Sequence, residues 1–160
     1  MAARLLLHRM SGRAVRGRLI KDTDGKPHLE DSLFFISISH TVGYSAAIAH
    51  PRHCGIDVQR IVPRITHLAP KFVSAAEARQ LLPAHELQQL HLIWAAKEAM
   101  YKAYGRRQLD FREHLGIDFE GFDPGVHRAT GWLRTTEESR EFALDWKRYD
   151  DFVLVSAVEG

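Results

Sequence analysis

Trp94-Ala95-Ala96-Lys97-Glu98-Ala99-Met100-Tyr101-Lys102 lies inside the longest periodic segment of the chain, Glu86 to Tyr104. Leu90, Ile93, Trp94, Tyr101 and Tyr104 recur there at helical spacing, and Gly105 follows as a C-cap, so the segment predicts a helix. Short apolar runs precede it. Leu33 to Ser39, Tyr44 to His50 and Cys54 to Gln59 read as strands, and Val42-Gly43 separates the first two at hairpin distance. Strand-like text returns after the helix, over residues 116–122, 131–135, 141–148 and 152–158. Strands, then helices, then strands imply an α+β fold with helices packed on a largely antiparallel sheet.

The flanking text fills in around this frame. Residues 2–10 read as a brief amphipathic helix, followed by a solvated basic strand. Thr23-Asp24-Gly25-Lys26-Pro27 is a turn. Residues 60–72 are irregular, with Pro63 and Pro70. Ser74 followed by Glu77 has the form of a capping box, and the helix it starts is expected to reach Leu82 before Pro83 stops it.

Composition narrows the class. The 160 residues are 45% hydrophobic and 26% charged, which is the balance of a folded globular chain and excludes a disordered one. No run is long enough to span a membrane as a helix. The one cysteine, Cys54, forbids an internal disulfide and reads as a small core residue. Residues 1–21 hold six basic side chains (Arg4, Arg9, Arg13, Arg16, Arg18 and Lys21) and no acid. The stretch has an Arg-rich transit-peptide reading and an anion-binding reading. No secretory leader is read, so a cytoplasmic location is expected. A net charge of +2 gives no argument for nucleic acid as a partner, and neither a nucleic-acid nor a membrane partner is expected.

Three features carry chemistry: Ser39-His40-Thr41 at a strand end, Gly55-Ile56-Asp57-Val58-Gln59, and the Trp94–Lys102 segment. Trp94, Glu98 and Lys102 fall at i, i+4 and i+8, on one helix face. Taken singly, each has a bland reading. Glu98 and Lys102 make a surface ion pair, Asp57 bonds a backbone amide, and His40 is a turn histidine. Taken together, a strand carboxylate and a helix carboxylate could hold a hard cation such as Mg²⁺, with a lysine and a histidine for the phosphates it bridges.

These motifs resemble those of the 4′-phosphopantetheinyl transferases, which move the phosphopantetheine arm of coenzyme A onto a serine of an acyl or peptidyl carrier protein. The family's Gly-[Ile/Val]-Asp strand stands here as Gly55-Ile56-Asp57, and its [Trp/Phe]-x-x-Lys-Glu-[Ala/Ser]-x-x-x-Lys helix as residues 94–102. Gly25-Lys26-Pro27 and Ser39-His40-Thr41 resemble the upstream motifs of the larger members. Lys71-Phe72 with Glu77 resembles the element between. The resemblance covers about residues 25 to 105.

It implies two similar α+β subdomains with coenzyme A between them, here an incomplete N-terminal one over 1–52 and a C-terminal one over 53–160. It implies Mg²⁺ on Asp57 and Glu98, with Gln59 where many larger members add a third acid. Lys102 would contact the coenzyme A phosphates. His40, with Ser39 beside it and Lys26, would bind the 3′-phosphate, and Arg4 would touch the nucleotide. Asp57, Glu98 and Lys102 would be catalytic. Basic Lys71, Arg79, Arg106, Arg107 and Arg112 offer a docking surface for an acidic carrier, or else a solvated helix end.

Larger members carry more chain before Gly-Lys-Pro, and the expectation is a first subdomain lacking its opening strands. The bare edge left behind could pair with a second copy into a homo-oligomer. The rival readings are a non-catalytic binder of coenzyme A or carrier protein, a transition-metal module built from the ten histidines, and a nucleic-acid module resting on the basic N-terminal stretch.

Overall fold

The computed structural model describes residues 2–106, 108–119 and 121–160. In chain order the elements are α1 (Ala2–Ser11), β1 (Leu19–Lys21), β2 (Pro27–Leu29), β3 (Phe35–Thr41), β4 (Tyr44–His50), β5 (Cys54–Arg60), α2 (Ile65–Leu68), a 3₁₀ turn (Ala69–Lys71), α3 (Ala75–Ala78), α4 (Glu86–Tyr104), β6 (Leu115–Ile117), β7 (Arg128–Arg134), β8 (Ser139–Arg148) and β9 (Phe152–Glu159). They build an α+β fold with two sheets, ordered β1-β2-β3-β4 and β5-β9-β8-β7-β6. Every strand pair is antiparallel. No helix of the described chain is long and apolar enough to cross a membrane.

The chain changes sheets between His50 and Cys54. β4 follows β3 through Val42-Gly43, and the left-handed φ of +86° at Gly43 suits a residue without a Cβ. β3 begins at Phe35, because Leu33 and Phe34 are exposed and make no ladder, and it runs on through His40 and Thr41. β6 stops at Ile117, and beyond it the Phe122 N–H bonds the Phe119 carbonyl at 2.8 Å. The short β1–β2 hairpin flanks the Gly25 turn. α1 lies against β3 and β4.

α4 is the axle of the larger layer. One face of the five-stranded sheet lines the core with Leu133, Phe142, Leu144, Trp146, Val153, Val155 and Ala157, and Leu90, Ile93, Ala96, Ala99, Met100 and Ala103 of α4 pack on it. The opposite face, through Ile56, Val58, Phe152 and Leu154, receives Tyr44, Ala46 and Ile48 of β4. The C-cap Gly105 (φ 72°) donates its N–H to the Tyr101 carbonyl at 3.0 Å.

The capping box forms as read: Ser74 Oγ accepts from the Glu77 N–H and the Glu77 carboxylate accepts from the Ser74 N–H. Its helix ends at Ala78 rather than Leu82, since the chain then turns onto α4. Buried polar side chains of α4 hold this irregular segment in place. His91 Nε2 accepts from the Val62 N–H at 3.0 Å. Gln89 accepts from the Leu82 N–H at 2.7 Å and donates to the Gln80 carbonyl at 3.1 Å.

Because His91 Nε2 accepts, its Nδ1 must carry the proton and donate to the Leu87 carbonyl at 2.8 Å. Burial holds the ring below the usual histidine pKa. A folded value below the unfolded one gives stability that is complete above about pH 6.5 and lost as pH falls through the folded value. Urea unfolding between pH 7 and 5 is expected to show a midpoint that falls with acid. His91→Gln should flatten that slope, by at most about 1.4 kcal/mol per pH unit. Equal slopes in the two proteins would contradict the account.

Candidate active site

β5 alternates. Ile56 and Val58 face β4, and Gly55, Asp57 and Gln59 face the other way. Gly55 brings the strand onto α4. A Cβ there would stand 1.8 Å from the Ala99 carbonyl oxygen and 2.7 Å from the Ala103 nitrogen, both backbone atoms. Only glycine permits that approach, and it sets Asp57 beside the helix turn that carries Glu98 and Lys102.

β5 is also an edge strand, and its outer N–H groups are met by serines of β3. Ser37 Oγ accepts from the Ile56 N–H at 3.2 Å, and Ser39 Oγ accepts from the Val58 N–H at 3.2 Å. Lys102 Nζ donates to the Ile56 carbonyl at 3.1 Å. The two sheets therefore meet along a side-chain seam rather than a backbone ladder.

Asp57 is 3% exposed, and three donors fix its carboxylate. Oδ1 accepts from Ser39 Oγ at 2.8 Å and Lys102 Nζ at 2.6 Å, and Oδ2 accepts from Gln59 Nε2 at 2.6 Å. Glu98 is treated differently. It makes no hydrogen bond among the described residues and opens onto a cavity. Burial first, and then the charge of Asp57, push its carboxyl above the usual glutamate range, while Lys102 opposes them. One carboxylate is locked by a cation and two neutral donors, and the second is half-buried, electrostatically linked to the first, and more basic than usual.

Lys102 lines one cavity and Glu98 another. The smaller, of about 210 Å³, lies between the first sheet and the C-terminal end of α4 and is lined by Lys26, Ile36, Ile38, Tyr101, Lys102 and Arg106. The larger, of about 640 Å³, is walled by Phe72, Trp94, Tyr101 and Phe111, with Glu98 and Lys71 on its lining. Tyr101 belongs to both.

The other sequence-derived residues are placed as follows. Lys26 donates from Nζ to the Ala103 carbonyl at 2.6 Å, as a cation at the C-terminal end of α4. His40 is exposed, on the face of β3 opposite Ser39. Arg4 is exposed and lines a separate cavity with Arg16 and Arg18, apart from Asp57 and Glu98. Arg106 donates to Glu138 Oε1 at 3.2 Å. Arg107 lies outside the described residues. Lys71, Arg79 and Arg112 are exposed. Sequence reasoning passed over Ser37 and the buried partnership of Lys97 with Glu77 at 2.8 Å. Serines alternating with apolar residues in Phe35-Ile36-Ser37-Ile38-Ser39 were the available signal for the first.

Among the described residues no cluster of three or more His, Cys, Asp or Glu side chains is arranged to hold an ion. Two carboxylates that feel each other's charge fit a hard cation that keeps most of its water, as Mg²⁺ does. Gln59 meets Asp57 through its amide N–H, so as placed it serves the carboxylate as a donor.

Residues 53–155 match the sequence pattern of the 4′-phosphopantetheinyl transferase superfamily, and the chain belongs to that superfamily. It is a transferase of the phosphopantetheinyl type, and the α+β architecture of two antiparallel sheets agrees with that fold. No curated protein matches the chain.

Gly55→Ala is expected to cost about 3 kcal/mol or more, because the obstacle is backbone and cannot rotate away. Chemical denaturation measures it, and a loss within about 0.5 kcal/mol of zero would refute the close approach.

Proposed function

We propose that this chain transfers the 4′-phosphopantetheine arm of coenzyme A to a serine of an apo acyl or peptidyl carrier protein, in a Mg²⁺-dependent reaction that releases 3′,5′-ADP. One observation carries the reading: Lys102, bonded to Asp57, lines a cavity with Lys26 and Arg106; Glu98, which feels the Asp57 charge, lines an aromatic one; and Tyr101 lines both. The cation-lined cavity suits the phosphate-bearing end of coenzyme A. The larger one suits the approach of the acceptor, since Glu98 lines it.

Asp57 and Glu98 would hold the metal, which when bound supplies positive charge against the pyrophosphate. Lys102, held at Asp57, sets a further positive charge at the smaller cavity, where charge builds as the β-phosphate is attacked. The serine hydroxyl must lose its proton as its oxygen attacks. Glu98, which lines the larger cavity, or a water that it orients, is the proposed acceptor for that proton. The bond from the β-phosphorus to the bridging oxygen breaks, and 3′,5′-ADP leaves with that oxygen.

Lys26 and Arg106 support the nucleotide end, and His40, Ser39 and Arg4 are proposed contributors on the first sheet. Exposed Lys71, Arg79 and Arg112 favour a carrier with an acidic surface. Cys54, buried and with no disulfide, suits a reducing cytoplasm.

The test incubates the chain with apo carrier, coenzyme A and Mg²⁺, and reads the carrier's mass for one added phosphopantetheine arm. Asp57→Asn and Glu98→Gln should each lower the transfer rate by about a hundredfold or more. A chelator should stop the wild type and Mg²⁺ should restore it. Near wild-type rates in either variant would remove that residue from the chemistry. Coenzyme A binding without transfer would favour a non-catalytic binder.

A further inference from the structure

Lys97 is adjacent to Glu98 but turns away from the larger cavity and is wholly buried. A buried ammonium persists only when its donors are matched. The three N–H groups of Lys97 find three acceptors: Glu77 Oε2 at 2.8 Å, the Phe72 carbonyl at 2.7 Å and the Phe111 carbonyl at 2.8 Å. Glu77 is satisfied as well. Its Oε2 accepts from the Ser74 N–H at 2.8 Å, and its Oε1 accepts from the Ile117 N–H at 3.2 Å.

Both carbonyls belong to residues that wall the cavity Glu98 lines. The Phe72 and Phe111 rings both contact Trp94, with centroids 5.0 and 5.5 Å from it. Tyr101 closes on Phe111 at 5.5 Å. Neither Phe72 nor Phe111 lies in a helix or strand, so no ladder fixes its backbone. One nitrogen atom, carried on the rigid helix α4, binds the main chain of both walls. Glu77 supplies its counter-charge, and the Ile117 amide ties that carboxylate to β6.

We infer that Lys97 is a positioning residue for acceptor recognition. Its ammonium fixes the separation of the Phe72 and Phe111 walls, and so the aperture through which the acceptor serine reaches Glu98. The inference rests on the reading that the acceptor uses this cavity.

Lys97→Met alone leaves Glu77 buried without its cation and is expected to lose stability. The working variant is therefore Lys97→Met with Glu77→Gln, which removes both charges, assayed below its melting temperature with circular dichroism confirming the fold. The KM for apo carrier should rise about tenfold, kcat should stay within about threefold, and the KM for coenzyme A should hold. A second readout needs no turnover. With 5-fluorotryptophan in the chain, the ¹⁹F resonance of Trp94, assigned through Trp94→Phe, should shift or broaden while those of Trp132 and Trp146 stay in place.

A folded double variant with an unmoved Trp94 resonance overturns the role of Lys97. A moved resonance with an unchanged carrier KM overturns the inference at its other foot, the use of this cavity by the acceptor. If the wild-type chain transfers nothing, the proposed function fails, and the fluorine spectrum still decides whether Lys97 sets the walls.

Discussion

The contact between β5 and α4 at Gly55 governs both the fold and the site. A strand normally stands off a helix by the thickness of its side chains. Here the side chain is a hydrogen, and the helix surface below it is alanine, with Ala99 and Ala103 wholly buried. Backbone therefore meets backbone. Two residues on, on the same face, Asp57 comes within reach of Lys102, and its charge is felt by Glu98. A bulkier residue at 55 would separate the elements that carry the three charged groups. The glycine of the Gly-Ile-Asp motif is thus as much a part of the site as the aspartate.

The structure handles its two acids in opposite ways. Asp57 is saturated by Ser39, Gln59 and Lys102, so its position is set before any ligand arrives. Glu98 lines a cavity and has a raised proton affinity. A fixed carboxylate thus stands beside a more accessible one, and the separate roles proposed for them rest on that contrast. The serine seam contributes to both tasks. Ser39 caps the open edge of β5 and at the same time donates to Asp57, so the junction of the two sheets and the order of the site share an atom.

The same economy appears along α4, whose buried polar side chains fasten the irregular segment before it. His91 holds Val62, Gln89 holds Gln80 and Leu82, and Lys97 holds Phe72. The segment has only short helical turns and no strand, so side-chain bonds do the work a ladder does elsewhere. This also explains why α4 does not divide cleanly into an apolar and a polar face. Its polar residues are inside because loop backbone is packed around them, and loop backbone needs partners.

The sequence by itself determined the extent of α4 with its glycine cap, the β3–β4 hairpin, β5, the capping box at Ser74 and the superfamily, because each of these is written in local spacing. Period, punctuation and short motifs do not depend on what folds over them. Local text failed where tertiary neighbours decide. α3 stopped at Ala78 because the chain must turn onto α4. Leu33 and Phe34 looked like strand but have no ladder partner, and the β2 strand is too short to announce itself. At the site, the sequence singled out Asp57, Glu98 and Lys102, but only the folded chain decided that Lys102 would bind Asp57, that Lys26 would cap α4, and that His40 would face away from Ser39. The physical reason is the same in each case. A side chain's type is fixed by its codon, but its partner is fixed by which distant backbone the core brings beside it.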